Sequence, residues 1–263
     1  MRPLNYLLSF LSFNLFPVEY QPTQPETMRI LVTGGTGAAG LEILRTANAD
    51  PSITQVTVLL RGALPASVPP SPKMTVVKHT DFMNYPAELV KDHDACVWAL
   101  GRGSSGLTEA QYAEFTHDYP VAALTAFAAN IEPGHPFRFV YFSGDGADPS
   151  QKSGQMWARV KGRTETDLQA IAKASNGTIH THSLRPGYFF PADQADRQNT
   201  RSRGARVTDV ILAPLLRTVA PKFIVPISDL ALVALGLAKG TLGDAEVLSN
   251  TDIVNAAATA KKA

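Results

Sequence analysis

The sequence contains one cysteine, Cys96, set in the apolar run "ACVWAL". An intrachain disulfide is thereby excluded, a reducing compartment fits, and the thiol reads as a small buried hydrophobe. A dominant charge is also missing. With 24 basic and 23 acidic residues the formal balance is +1, so no global field draws the chain to nucleic acid or to an acidic membrane, and a small-molecule substrate is the better expectation. His79, His93, His117 and His135 show no ligand spacing. His180 and His182 share one strand face without a third ligand nearby, so a structural role is expected of them and no metal site is expected anywhere. The G-x-S-x-G run of α/β-hydrolases does not occur, nor does any repeat of fixed period or a low-complexity tail.

What is present is enough apolar material, 44% of 263 residues, to bury one α/β core. Residues 1–27 stand apart, because "LNYLLSFLSFNLFPV" carries no charge between Arg2 and Glu19. The run is short for a membrane span, has no A-x-A-like cleavage site and is poor in arginine. It reads as a membrane-contacting anchor, a targeting segment, or an extension ahead of a true start at Met28. The remainder, 28–263, alternates short apolar runs with helical patterns, the signature of a doubly wound parallel sheet. Strands are expected at "RILVT", "QVTVLL", "MTVVKH", "ACVWAL", "FRFVYFS" and "IHTHSL", with helices near 38–47, 108–130 and 156–174. From about residue 188 the alternation stops. An arginine-rich loop, "DQADRQNTRSRGAR", with Arg197, Arg201, Arg203 and Arg206, leads into helical segments near 207–219 and 228–239, read together as a small C-terminal lobe that completes a substrate pocket.

The main motif is "RILVTGGTGAAGLEIL", a strand followed by Gly35-x-Gly37-x-x-Gly40 and an amphipathic helix. In this context the first glycine permits a tight turn, the second lets backbone approach a pyrophosphate, and the third allows close helix packing. Gly34, Gly35, Thr36, Gly37, Ala38, Ala39 and Gly40 are therefore expected to cradle a dinucleotide. The next strand ends in Arg61 where NAD-selective folds place an acid. A guanidinium there suits a 2′-phosphate, so NADP(H) is favoured over NAD(H).

The run "TGGTGAAG" fits the T-G-x-x-G-x-x-G form of the short-chain dehydrogenase/reductase superfamily, which the chain resembles as an atypical member over roughly residues 28–250. Through "TVLLRG", "FSGDGAD", "ARVKGRTETDL" and "SLRPGYFFPADQ" it is most similar to the Tat-interacting oxidoreductase and Fmp-type mitochondrial proteins, which bind NADP(H). The resemblance implies that Asp81 and Phe82 lie beside adenine, that "ALGRGS", with Ala99, Leu100 and Gly101, lines the nicotinamide ribose, and that Pro186 and Gly187 contact the carboxamide end. It also implies a serine at Ser143 and a ribose-holding lysine at Lys161.

The family's tyrosine, four residues before that lysine, is Trp157 here. An indole N–H donates a hydrogen bond but exchanges no proton near neutral pH. The sequence leaves open an NADP-dependent oxidoreductase acting on a small carbonyl or alcohol with another proton source, such as Tyr141, Tyr188 or water. It leaves open also an inactive NADP(H)-binding regulatory protein, and a Trp157 that caps a pocket for an unusual reaction. A stripe of Phe115, Ala122, Leu124, Phe127 and Ala128 on the 108–130 helix fits core packing or a homodimer contact. A cytoplasmic location is expected, with mitochondrial or membrane-associated as the alternative.

Overall fold

The computed structural model describes residues 27–132, 134–191, 193–200 and 223–262. The extension up to residue 26, the arginines Arg201, Arg203 and Arg206 and the expected helix near 207–219 lie outside these residues. Among them, no helix is long and apolar enough to cross a membrane.

Seven parallel strands form one sheet in the order β3-β2-β1-β4-β5-β6-β7. They are β1 (Met28–Thr33), β2 (Ile53–Leu60), β3 (Met74–Lys78), β4 (Ala95–Trp98), β5 (Phe137–Phe142), β6 (Ile179–Leu184) and β7 (Val247–Leu248). The helices are α1 (Ala38–Ala49), α2 (Ala87–Val90), α3 (Glu109–Ala113), α4 (Tyr119–Asn130), α5 (Met156–Ala174), α6 (Gln194–Thr200), α7 (Ile227–Ala238) and α8 (Asn250–Ala260). The fold is Rossmann-like and doubly wound.

Side chains alternate across the inner strands, whose two faces are both apolar because both are covered, whereas the edge strand β3 is largely exposed. Val32, Val58, Val97 and Val140 face α1, α7 and α8 through Ile43, Leu44, Val233, Leu237 and Ile253. Leu31, Leu59, Cys96, Trp98 and Phe139 face α4 and α5 through Leu124, Phe127 and Leu168. Sequence order reverses beside β1, between β2 and β4. The strand ends there are in register: Thr33 pairs with Leu59 and Trp98, and Trp98 with Tyr141. In open α/β sheets the crevice beyond such a switch point receives the ligand.

Three expectations are corrected. The 108–130 segment is not one helix. Pro120 has no N–H to give the Thr116 carbonyl, so the ladder breaks, and a π-turn over Glu114–Asp118 joins α3 to α4 with the Tyr119 N–H reaching back to the Glu114 carbonyl. The extra residue shifts the buried stripe to Tyr112, Thr116, Pro120, Ala123, Leu124 and Phe127, leaving Ala128 exposed and Phe115 and Ala122 half-buried. The start of the arginine-rich loop is helix α6 rather than loop. Asp196, 3% exposed, accepts two hydrogen bonds from Arg45 of α1, at 2.5 and 3.1 Å, and Arg197 lies over the Phe190 ring. Finally, the sheet gains β7, and α8 follows it, capped by a Ser249–Asp252 capping box. Two strand residues are too few to show a period, so no sequence pattern marked them.

His180 and His182 serve the base of the sheet. The His182 ring sits between the Ala245 carbonyl at 2.8 Å and Arg138 at 3.1 Å, and burial pushes its pKa down to about 4. His180 faces Asp244 at 3.5 Å.

Candidate functional site

Above the switch point lies a cleft of about 310 Å³. One wall is the β1–α1 turn with Gly37, Ala38 and Ala39, together with Ala99, Leu100, Gly101, Arg102 and Gly103 after β4. The other wall holds Tyr141, Phe142 and Ser143 of β5 and its exit, Lys161 of α5, Tyr112 of α3 and Thr116 of the π-turn, and Phe189 and Thr200 complete the lining.

The first wall is backbone. Gly34, at φ +72°, is the residue that turns the chain, and a Cβ on it would stand 2.4 Å from the Ala99 carbonyl. The tight turn therefore belongs to Gly34 and not to Gly35, whose own Cβ direction meets Leu44 and Val58 at 3.0 Å. Gly40 lets α1 press onto the turn, since its Cβ would fall 2.0 Å from the Gly34 oxygen. Gly37 differs: its Cβ direction meets only the Gly34 oxygen, at 3.4 Å, and the residue faces the cleft. Gly37 is also the N-cap of α1, without a side-chain cap and with no acid in the first turn. The leading N–H groups of α1 thus face the cleft with no side-chain cap among the described residues, the arrangement that suits a phosphate. The Leu100 N–H donates to Thr33 Oγ1 at 3.3 Å and ties the two loops together.

The second wall is side chain. Ser143 is 5% exposed, and its Oγ has no hydrogen-bond partner among the described residues. A buried hydroxyl left so costs about 1–3 kcal/mol, which a ligand oxygen in the cleft would offset. Lys161 extends from α5 and donates to the carbonyls of Phe142 at 3.0 Å and Ser143 at 2.6 Å, with its ammonium 5.8 Å from the Tyr141 ring centroid. Desolvation pulls its pKa down to about 8, opposed by Glu165 one turn further along, itself paired with Arg185. Gly162 lets α5 approach the loop after β5, because a Cβ there would lie 2.0 Å from the Asp148 carbonyl carbon.

The tyrosines divide by their bonds. Tyr141 is 2% exposed and its phenol donates to the Thr116 carbonyl at 2.9 Å, the oxygen that Pro120 leaves free. Thr164 Oγ1 lies 3.1 Å from the same oxygen and 2.8 Å from the Val160 carbonyl, so its one proton is shared between them. Burial raises the Tyr141 pKa far above its ordinary value. Tyr112, also 2% exposed, has the Thr116 hydroxyl beside it, and desolvation raises its pKa while that hydroxyl works in the opposite direction. Tyr188 is not among the residues that line the cleft, and its backbone forms a bridge to Ile224.

Other expected residues stand elsewhere. Trp157 does not line the cleft; it packs with Tyr112, Ala113 and Val160 and against Gly146, whose Cβ direction meets its ring at 3.2 Å, so it caps no pocket there. Arg61 is exposed at the end of β2, and the Tyr119 phenol, pushed up to about 12 by desolvation and Glu114, feels the charges of both Arg61 and Asp81. Asp81 builds its own turn, accepting from Met83 N–H at 3.1 Å and Asn84 Nδ2 at 2.6 Å. The Phe82 ring is buried under that turn, stacked on Tyr119 and edge-on to Trp98, and so has no open face for adenine. Pro186 accepts from the Asp145 N–H, and the Gly187 N–H donates to Asn250 Oδ1, away from the cleft. Arg102 and Gly103 belong to the expected run "ALGRGS", whereas Tyr112, Thr116, Phe142, Phe189 and Thr200 were not foreseen. Pro120 carried the signal for Thr116; the rest arrive by long-range folding.

No protein-family model matches the chain. Among curated proteins it is similar to "Protein fmp52, mitochondrial" of Emericella nidulans, 30% identical over 170 residues, covering 60% of this chain and 65% of that protein. The chain thus spans a little under two thirds of that relative's length. Among solved structures it resembles MoeE5 in complex with UDP-glucose and NAD, at TM-score 0.59 and 14% identity over 88% of this chain and 81% of that one. WbmF of Bordetella bronchiseptica in complex with NAD+ gives 0.60 and 15% over 89% and 78%, and the UDP-glucuronic acid 4-epimerase of Bacillus cereus in complex with NAD gives 0.56 and 16% over 80% and 72%. At these identities the likeness is one of fold.

Proposed function

We propose that the chain is a dinucleotide-dependent oxidoreductase of the short-chain dehydrogenase/reductase type, acting on a small carbonyl or alcohol with NADP(H) preferred. The observation that carries this reading is that one cleft joins the uncapped N-terminus of α1 to the buried, unpartnered Ser143 hydroxyl and the Lys161 ammonium. The likeness to the fungal protein and to NAD complexes of the same fold supports it.

In this reading the Gly37, Ala38 and Ala39 backbone receives the pyrophosphate, Lys161 holds the ribose hydroxyls, and Ser143 donates to the substrate oxygen. The bound nicotinamide supplies or accepts the hydride. Lys161 at about 8 is cationic at neutral pH, so it can hold a hydroxyl oxygen and stabilise negative charge developing nearby. Arg61, exposed just past the end of β2, would meet a 2′-phosphate. The relative's name favours a mitochondrial address over a cytoplasmic one, which imaging of a fluorescent fusion of the full chain would decide.

Titration of the purified chain with NADPH and NADH, followed by fluorescence, tests the reading. NADPH is expected to bind the more tightly, and Arg61→Asp to cost about 1.5–3 kcal/mol of NADPH affinity while sparing NADH. Failure to bind either dinucleotide removes the proposal; equal affinities remove only the NADP(H) preference.

A further inference from the structure

Resting on that dinucleotide reading, we propose that Tyr112, carried on α3, is the proton donor of the cleft, replacing from a neighbouring helix the phenol that position 157 does not supply.

Only two tyrosines line the cleft among the described residues, Tyr112 and Tyr141. Tyr141 has committed its proton to the Thr116 carbonyl at 2.9 Å, and giving it up would leave that bond unmade beneath the site. The Thr200 hydroxyl is similarly committed to the Asp196 carbonyl at 2.7 Å. Arg102 does not deprotonate in proteins. Ser143 can orient an oxygen, but an alkyl hydroxyl is a poor acid. The Lys161 ammonium is held by the carbonyls of Phe142 and Ser143, which leaves Tyr112 on the same wall, with the Thr116 hydroxyl beside its phenol.

The placement of Tyr112 follows from the chain. A capping box, Thr108 with Gln111, starts α3, and the π-turn ends it one residue later than α-helical spacing would, because Pro120 interrupts the ladder. Tyr112 then clusters with Ala113 and with Val160 of α5, and Trp157 packs against the outside of that cluster instead of lining the cleft. Thr116 sets its hydroxyl beside Tyr112 and its carbonyl under Tyr141, separating the roles of the two phenols.

The step balances. Hydride from the reduced nicotinamide forms a C–H bond at the carbonyl carbon, the carbonyl π pair moves to oxygen, and that oxygen takes the Tyr112 proton as its O–H bond breaks. The phenolate recovers a proton from water, so carbonyl, NADPH and one proton give alcohol and NADP+. A phenol whose pKa is raised by desolvation stays protonated at neutral pH and yields its proton only to a strongly basic oxygen, such as the developing alkoxide.

The test uses the full chain with NADPH, phenanthrenequinone as the carbonyl probe, and fluorine NMR of protein labelled with meta-fluorotyrosine, the Tyr112 signal being the one lost in Tyr112→Phe. Tyr112→Phe should keep NADPH affinity within about twofold and lower quinone turnover by about a hundredfold, while the Tyr112 signal moves when NADPH binds. Trp157→Tyr should leave turnover within about threefold of the parent. The proposal falls if Tyr112→Phe turns over like the parent, if the Tyr112 signal ignores bound NADPH, or if Trp157→Tyr gains about tenfold or more. It falls also if the parent binds NADPH yet oxidises none of it. Absence of NADPH binding in the parent would instead remove the dinucleotide reading on which the proposal rests.

Discussion

The two walls of the cleft are made of different material. On the β1–α1 side the surface is backbone: Gly37 and the leading N–H groups of α1, held in shape by Gly34 and Gly40 underneath. On the β5–α5 side it is side chain: Ser143, Lys161, Tyr112 and Tyr141 brought from three separate elements. A backbone wall depends on a few residues close together in sequence that admit no Cβ. A side-chain wall depends on which of several hydroxyls is left uncommitted after packing, and that choice is made by neighbours far along the chain.

The comparison breaks most easily at the glycines. Gly40→Ala puts a methyl 2.0 Å from the Gly34 oxygen and should cost about 3 kcal/mol of stability in urea denaturation. Gly37→Ala has only the 3.4 Å contact to relieve, so its stability should change by less than about 1 kcal/mol, while NADPH affinity should fall about tenfold or more. Similar stability losses in both would mean that the wall is not divided into a supporting glycine and a ligand-facing one.

On the opposite wall, Lys161 carries the next largest effect. Its pKa is about 8 in the folded chain against an ordinary 10.5, so between these values the unfolded chain binds more protons and stability rises with pH. Below about pH 8 the penalty is present in full, and above about 10.5 it is gone. Lys161→Met should flatten that rise by about 2 kcal/mol, allowing for the partial exposure of the side chain, as read from denaturation midpoints across pH 7–11. An unchanged slope would show that the lysine is not desolvated by the site.

The smallest stability effect is expected at Ser143. Because its Oγ has no partner among the described residues, Ser143→Ala should leave the melting temperature unchanged or stabilise by up to about 1 kcal/mol, although carbonyl reduction falls. A clear drop in melting temperature would mean that the hydroxyl supports the fold and is not held in reserve for a ligand.

The backbone wall was legible in the sequence for a physical reason. Strand, glycines and helix are contiguous, so their geometry is local, and "RILVTGGTGAAGLEIL" carries it whole. Even here the turn was placed one glycine too late, because three glycines among Gly34, Gly35 and Gly37 read alike until φ is known. Ser143 and Lys161 were also legible, as each lies near a recognisable run. Trp157 was misleading: its spacing to Lys161 suggested a cleft residue, and tertiary packing turned it toward α3 instead.

From the sequence alone came the parallel sheet, the glycine turn and the missing tyrosine, because each is written in the type and spacing of adjacent residues. Tertiary structure alone decided the fate of the phenols. Pro120 frees the Thr116 carbonyl, Tyr141 and Thr164 satisfy it, and Tyr112 is left facing the cleft. That division rests on hydrogen bonds between residues 25 and 48 positions apart, which exist only once β5 and α5 have packed against the broken helix.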